Sequence, residues 1–239
     1  MKKVLKLVCI AGCLAAALLS VNHVNADVIL GGVNMGAGDI VGGNGALRSQ
    51  DLLIDAVGGG GTFTLPDLSQ NNIITQNTTT TVDIQAGSLI VERNTFLGND
   101  GNGNLTFNLS GGVAQFDGDL GIGRDEANTL VTICGGAFNV DGALSFDVPG
   151  GANGVRPGFG TLDFTAGSTG TLTVAGLGAA DFEAFFDAGD ITFDGGATGA
   201  FDEFFQVNGN TLSIVAVPEP TSLALLGLGV VGLVVRRRK

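Results

Sequence analysis

Tryptophan and tyrosine are absent from this 239-residue chain, and histidine occurs once, as His23. Lysine is confined to Lys2, Lys3, Lys6 and Lys239. Residues 27–217 therefore offer no imidazole, ammonium, phenol or indole, which rules out a histidine-based triad, a histidine or multi-cysteine zinc site and a lysine Schiff base. Cations are scarce there as well. Seven of the eleven Lys and Arg lie in the two ends, leaving Arg48, Arg93, Arg124 and Arg156; against these four stand twenty-two of the twenty-three acids, a net charge of −18. Such a surface repels nucleic acid and anionic membrane, so nucleic acid is excluded as a partner, while solubility and loose cation binding are favoured. Of the three cysteines, Cys9 and Cys13 belong to an apolar N-terminal run and Cys134 stands alone, so no disulfide can form within residues 27–217. Cys134 sits in an apolar run before Gly135-Gly136 and reads as a small buried hydrophobe.

What is present at the N-terminus is an export signal. Lys2, Lys3 and Lys6 precede or punctuate an apolar run to Val21, and Val24-Asn25-Ala26 is a small-residue cleavage site, so the signal helix spans residues 1–26 and signal peptidase is expected to cut between Ala26 and Asp27. Ile10-Ala11-Gly12-Cys13 also resembles a lipoprotein signal, but LAAALLSV continues apolar after Cys13, where a lipoprotein turns polar.

The C-terminal stretch 217–239 has three parts. Pro218-Glu219-Pro220 stops any helix or central strand, because each proline fixes φ, lacks an N–H and pushes its predecessor toward extended geometry. Ser222–Val235 is uncharged and rich in Leu and Val, with Thr221 at the N-cap position; a transmembrane helix over about 221–235 is expected. At ~1.5 Å per residue its fourteen apolar residues give roughly 21 Å, short of the ~30 Å hydrocarbon core. Arg236, Arg237, Arg238 and Lys239 extend its reach by snorkelling, act as the membrane stop and mark that end as cytoplasmic. This order of motif, apolar helix and basic cluster resembles the PEP-CTERM sorting signal of Gram-negative bacteria, whose tail also carries the name ice-binding protein C-terminal domain. The resemblance implies that an exosortase, a membrane-embedded cysteine transpeptidase, acts near Pro218-Glu219-Pro220 on an inner-membrane-anchored precursor and delivers the protein to the cell surface or extracellular matrix.

Between the two signals glycine is abundant and proline scarce, and short runs with period two recur: Thr62–Leu65, Thr81–Ile84, Ser88–Val91, Asn104–Leu109, Thr161–Phe164 and Thr171–Val174, each bounded by Gly, Asn or Asp. Leu109-Ser110-Gly111-Gly112-Val113 with Phe116-Asp117-Gly118-Asp119-Leu120 returns twenty-four residues later as Ile133-Cys134-Gly135-Gly136-Ala137 with Val140-Asp141-Gly142-Ala143-Leu144. A looser copy begins at Leu162, after an insertion around Val148–Gly158. A period in the twenties with strand content is what one coil of a parallel β-helix needs. The pattern also resembles autotransporter-associated β-strand repeats. The fold expected is all-β, a right-handed parallel β-helix (β-solenoid) over 27–175, with an antiparallel β-sandwich as the alternative. A small Phe-rich α/β cap follows over 176–216: a short helix over Asp181–Gly189, the strand Ile191–Phe193, then Phe201–Phe205 leading to Thr211–Val215.

For chemistry, only carboxylates remain. Twenty-two scattered acids make some close pair inevitable, so Asp181 with Glu183 carries little information, and the expectation is no enzyme and no catalytic residue; a small carboxylate-dependent carbohydrate-active enzyme on the β-helix is the alternative. Calcium is the one cofactor with candidate ligands: Asp100, Asn102 and Asn104 alternate along a Gly-flexible loop, and Asp117 and Asp119 repeat the idea. The twelfth position after the loop starts, Gly111, lacks the EF-hand Glu, and the plain reading is a solvated Asn-Gly turn. An ice-binding surface would need Thr-x-Thr on successive coils, and Thr62/Thr64 and Thr171/Thr173 are far apart. The resulting expectation is a non-enzymatic surface or matrix protein that adheres to or scaffolds extracellular polysaccharide. Its partners are signal peptidase and exosortase during export. Mapping the ends of the protein recovered from its host checks the export reading: the expected product starts at Asp27 and is found outside the cytoplasm, whereas a cytoplasmic product running from Met1 to Lys239 overturns it.

Overall fold

The computed structural model describes residues 28–215 apart from 31–32, 37–38, 43–46, 48, 56–60, 67–71, 77, 102, 150–155 and 157. The expected signal helix and C-terminal transmembrane helix lie outside the described residues. Among those described, no helix is long and apolar enough to cross a membrane.

The chain winds into a parallel β-solenoid of about five turns. Successive coils contribute one strand to each of three sheets. Leu52–Ile54, Thr79–Ile84, Asn104–Leu109, Asn128–Ile133 and Phe159–Phe164 stack in the first, and Thr62–Leu65, Ser88–Val91, Val113–Phe116, Ala137–Val140 and Thr171–Val174 in the second. Asn72–Gln76, Thr95–Asn99, Leu120–Arg124 and Leu144–Val148 form the third. Pairing between coils is parallel throughout these stacks, so the antiparallel sandwich does not occur. The sequence repeat is the coil: Thr80, Leu105 and Thr129 share one column at spacings of 25 and 24 residues. The next spacing, Thr129 to Gly160, is 31, and it contains the Pro-bearing insertion. Phe116 and Val140 are register partners and both are buried, as the repeat predicts. The looser third copy is shifted by two residues from its expected start: Phe164, not Leu162, follows Leu109 and Ile133 in the column. A two-residue slip keeps every side chain on its own face, so periodicity alone does not detect it.

Alternation explains the core. In the strand Asn104–Leu109, Leu105, Phe107 and Leu109 point inward while Asn104, Thr106 and Asn108 point out. Stacking repeats this choice along the columns Ile84, Leu109, Ile133, Phe164 and Leu65, Val91, Phe116, Val140. Phe107, Phe116 and Phe138 meet at the centre with ring centroids 5.1–6.5 Å apart. The third sheet departs from strict alternation. Thr75, Gly98, Gly123 and Asp147 occupy one rung position in its four strands, and all four have left-handed backbone, φ 70°, 75°, 70° and 51°. Glycine takes this conformation freely, whereas Thr75 and Asp147 hold it at a cost of about 1–3 kcal/mol each.

The far end of the solenoid is closed by the Phe-rich segment. A helix, Ala179–Ala188, stops at Gly189, whose left-handed backbone (φ 85°) lets its N–H reach the carbonyls of Phe185 and Phe186. Phe182 is fully buried, and Phe185 stacks edge-on against Phe146 of the last third-sheet strand at 5.1 Å. Ile191–Phe193 extends the first sheet in parallel, while the hairpin Phe205–Asn208 and Thr211–Ile214 adds to the second antiparallel to its last coil. Phe164 meets Phe205 at 5.4 Å, so the cap continues the apolar column and covers it.

Two carboxylates are trapped beside the first sheet. Burial pushes Asp163 above its ordinary pKa; hydrogen bonds to its Oδ1 from the Thr192 hydroxyl (2.7 Å) and the Gly195 N–H (3.0 Å) oppose this, and the Asp194 charge adds to it. Burial also raises Asp83, opposed by the Gln85 amide and reinforced by Asp55. A carboxyl with a higher pKa folded than unfolded binds more protons in the folded state between the two values. Stability therefore rises as pH falls from above the raised pKa toward the unfolded ~3.9, and no further gain comes below that.

Two predictions follow from the packing and the trapped charge. Phe138→Ala, which empties the centre of the aromatic cluster, costs about 3–5 kcal/mol in urea unfolding. Asp163→Asn keeps the Oδ1 acceptor and removes the buried charge, so its melting temperature exceeds that of the parent near neutrality and the gap closes as the pH nears ~4; a variant that melts lower throughout overturns the assignment.

Candidate functional site

The outer faces of the sheets carry the surface chemistry. On the second sheet Thr62 and Thr64 are followed in the next coil by Ser88 and Ile90, then by Val113 and Gln115, then by Ala137 and Asn139 before Thr171 and Thr173. Threonine thus marks the first and last of these coils only, and no continuous Thr-x-Thr ladder exists there.

The first sheet differs. Its last three full coils present Asn104 and Thr106, then Asn128 and Leu130, then Phe159 and Thr161, in register on the outside. The Asn128 amide donates to the Asn104 Oδ1 at 3.2 Å, forming one step of an asparagine column. Leu130 and Phe159 are 44% and 54% exposed, and they are the large hydrophobic side chains that the described residues leave open to solvent. Together these residues line a groove of about 460 Å³, within the range of small-ligand sites.

Phe159 owes its position to close backbone approach. Its strand enters alongside the third sheet, where a Cβ on Gly123 would lie 2.5 Å from the Gly160 nitrogen and one on Gly160 would lie 2.1 Å from the Ile122 carbonyl oxygen. Asp147 fastens the same crossing: its Oδ1 accepts the Gly160 N–H at 2.6 Å. Asp147 stands in the left-handed column where the two coils before it use glycine, and aspartate is one of the few other residues that tolerate that conformation.

The helix end forms part of the wall. Ala188, Gly189 and Asp190 line the groove together with the asparagine column, and Asp147 lines it too. Burial raises the Asp190 pKa, and the charge of Asp147 raises it further. The helix has no basic residue in its last turn, and although Gly189 caps the Phe185 and Phe186 carbonyls, what remains of its partial negative end adds to the negative potential here. The groove therefore joins an apolar platform, an amide and hydroxyl ladder and a concentration of negative potential. Of these residues only Asn104 stood out in the sequence, and for a different reason. The signals that could have found the others are an aromatic and a leucine at positions of the repeat that face out, visible only once register is known.

The calcium candidates do not gather. Asp100 and Asn104 lie at the corner between the third and first sheets, whereas Asp117 and Asp119 lie at the corner between the second and third; Asn102 is outside the described residues. Among the described residues no group of three or more acidic, His or Cys side chains could hold a metal ion. Asp100 accepts the N–H of Gly101 in a turn, and Asp117 accepts the Gln115 amide. Asp119 is a corner brace: it accepts the Ala143 N–H (2.9 Å) of the next coil and the Asn94 amide (3.3 Å) of the previous one, while its own N–H donates to Asn94 Oδ1. Asp125 is held by Arg156, Nε to Oδ1 at 2.9 Å. Cys134, expected to be buried, is half-buried at the corner after the first sheet because it points out of the Gly-Gly turn.

Ala26, Asp27, Pro218, Glu219, Pro220 and Arg236 to Lys239 lie outside the described residues. Comparison with family models matches residues 216–239 to the PEP-CTERM protein-sorting motif. The match spans the tail that the sequence singles out, and the motif implies exosortase-dependent export and sorting to the cell surface. Neither the curated proteins nor the solved structures contain a match to this chain.

Replacement of Asp119 by Ala removes both braces at an exposed corner and is expected to lower stability by about 1–2 kcal/mol, read by urea unfolding. Added calcium leaves the deficit unchanged if the carboxylate serves as a brace; calcium-dependent recovery of the parent alone would reassign it to a metal.

Proposed function

We propose that this is an exported, non-enzymatic surface protein that holds extracellular polysaccharide in the groove on its first sheet and thereby adheres to or scaffolds the matrix. The observation that carries the reading is the pairing of exposed Phe159 and Leu130 with the Asn104–Asn128 amide column. A sugar ring has an apolar face and a hydroxyl rim, and this surface offers a flat apolar platform beside donors and acceptors. Adjacent strands lie ~4.8 Å apart, so a polymer running along the stack meets the Asn104–Asn128 step and then Phe159 in successive coils. The sorting motif supports the location, because a protein delivered to the cell surface meets such polymers first.

One observation favours a second reading. Asp147 and Asp190 line the same groove, and a carboxylate pair with one raised pKa is what glycosidic cleavage uses. Binding is preferred because both carboxylates have structural engagements: Asp147 fastens Gly160, and Asp190 follows a helix cap.

The test incubates the purified full chain with the polysaccharide of its host. Retention on the polymer with its chain length unchanged, and at least ~10-fold weaker retention for Phe159→Ala, a loss of about 1.4 kcal/mol, fits the proposal. Shortened polymer, with shortening abolished by Asp190→Asn, establishes the second reading instead. Undiminished binding by Phe159→Ala removes the groove from the account.

A further inference from the structure

We infer that the groove selects a glycan bearing free amino groups, with the ammonium of an amino sugar seated between Asp147 and Asp190 while its ring lies on Phe159. The inference rests on the proposed polysaccharide reading and names the class of sugar within it. Two carboxylates and the end of a helix meet at this groove, and together they favour a cation. The Asp147 carboxylate is oriented by the Gly160 N–H to its Oδ1, and the backbone of Asp190 is held in the helix cap, where its own N–H reaches the Phe185 carbonyl at 2.9 Å. The helix that ends here has no basic residue in its last turn, so its residual partial negative charge adds to that of the two carboxylates. Two of the arginines are engaged elsewhere: Arg124 stacks over Phe96 and bonds Asn99, and Arg156 pairs with Asp125 and Glu126.

The platform decides what carries the cation. A free metal ion would have no use for Phe159 and Leu130, and it finds two carboxylates where a hard cation wants six or more oxygens. A sugar with an ammonium substituent uses both halves of the groove. Its ring covers the apolar strip, its hydroxyls reach the Asn104–Asn128 column, and its ammonium has three N–H donors to share between two carboxylates. Acetylation of the nitrogen would remove the charge, and a neutral sugar would bring no counter-charge to Asp147 and Asp190.

Three probes with the same β-1,4-linked backbone separate the possibilities: oligomers of glucosamine, of N-acetylglucosamine and of glucose, titrated calorimetrically into the full chain at low salt. The glucosamine oligomer is expected to bind at least ~10-fold more tightly than either neutral oligomer, a preference that added salt shrinks. Asp147→Asn and Asp190→Asn should each reduce that preference several-fold; asparagine keeps the Gly160 acceptor and tolerates the left-handed backbone of Asp147, and melting curves near the parent's establish that the fold is intact. Asp141→Asn, which removes the same charge at an exposed corner away from the groove, should leave the preference unchanged. Equal binding of all three oligomers, weakened alike by Phe159→Ala, overturns the amine inference and leaves the polysaccharide reading standing. Preference lost equally in Asp141→Asn overturns it as well, since the overall acidity would then be responsible. Failure of every oligomer to bind, in parent and variants, overturns the amine inference, and retention on the host polymer then decides the polysaccharide reading separately.

Discussion

Every feature of this molecule depends on one constraint: a coil must hand the next coil the same row of hydrogen-bonding groups, at the same height, on all three faces. The parallel ladders enforce it. Thr80, Leu105 and Thr129 on the first sheet, Ser88, Val113 and Ala137 on the second, and Thr95, Leu120 and Leu144 on the third advance by 24 or 25 residues at each step. Because side chains alternate faces, this register also decides composition: an inward position stays apolar in coil after coil, and a single-residue slip would drive the Phe107–Phe116–Phe138 cluster into water. Corners then have to be shaped alike, which is why the third sheet repeats a left-handed residue at one rung and why Asp119 can brace the coils on both sides of it.

The same constraint determines how much of the fold the sequence displays. The first and second sheets are legible because their strands alternate cleanly, as Asn104–Leu109 and Ala137–Val140 do. Three strands of the third sheet, Asn72–Gln76, Thr95–Asn99 and Leu120–Arg124, escape a period-two search, since a left-handed residue at Thr75, Gly98 or Gly123 breaks alternation in the middle of each. What revealed this sheet's place was the repeat itself, with Leu120 and Leu144 in register. The Phe-rich cap was legible from phenylalanine spacing and from Gly189 at the helix end, because an open solenoid end must be covered by something apolar.

The groove was not legible, and the reason is geometric. Asp147 and Asp190 are separated in sequence by a longer coil, the last strand of the second sheet and a helix, so no spacing rule links them. Phe159 follows the insertion and starts its strand one residue before the register position that earlier coils fill with Thr80, Leu105 and Thr129; until Asn128 is known to pair with it, it reads as one more apolar residue. The charge candidates that did stand out, Asp117 and Asp119, were conspicuous because corners need carboxylates that accept backbone N–H groups, a structural demand that mimics the spacing of a cation loop.

Acidity has opposite consequences in different parts of the chain. On the exposed corners it keeps an otherwise apolar, glycine-rich rod from pairing with its neighbours, since a large charge of one sign opposes association. Where carboxylates are drawn from solvent, Asp163 buried and Asp83 half-buried, the same sign opposes the fold, and their pKa values rise accordingly. Asp190 belongs to neither group. It is raised by burial and by Asp147, yet it opens onto the groove, where a solvated charge of the opposite sign could relieve both causes at once. Asp147 adds a left-handed backbone at a rung where glycine serves the two preceding coils without strain. Asp147 accepts the Gly160 N–H from that rung, and the position that fastens the strand also brings its charge close enough to raise Asp190. The last coil thus sets two acids in the groove that holds the one exposed aromatic of the described surface, and on that departure from the repeat the preference for an ammonium turns.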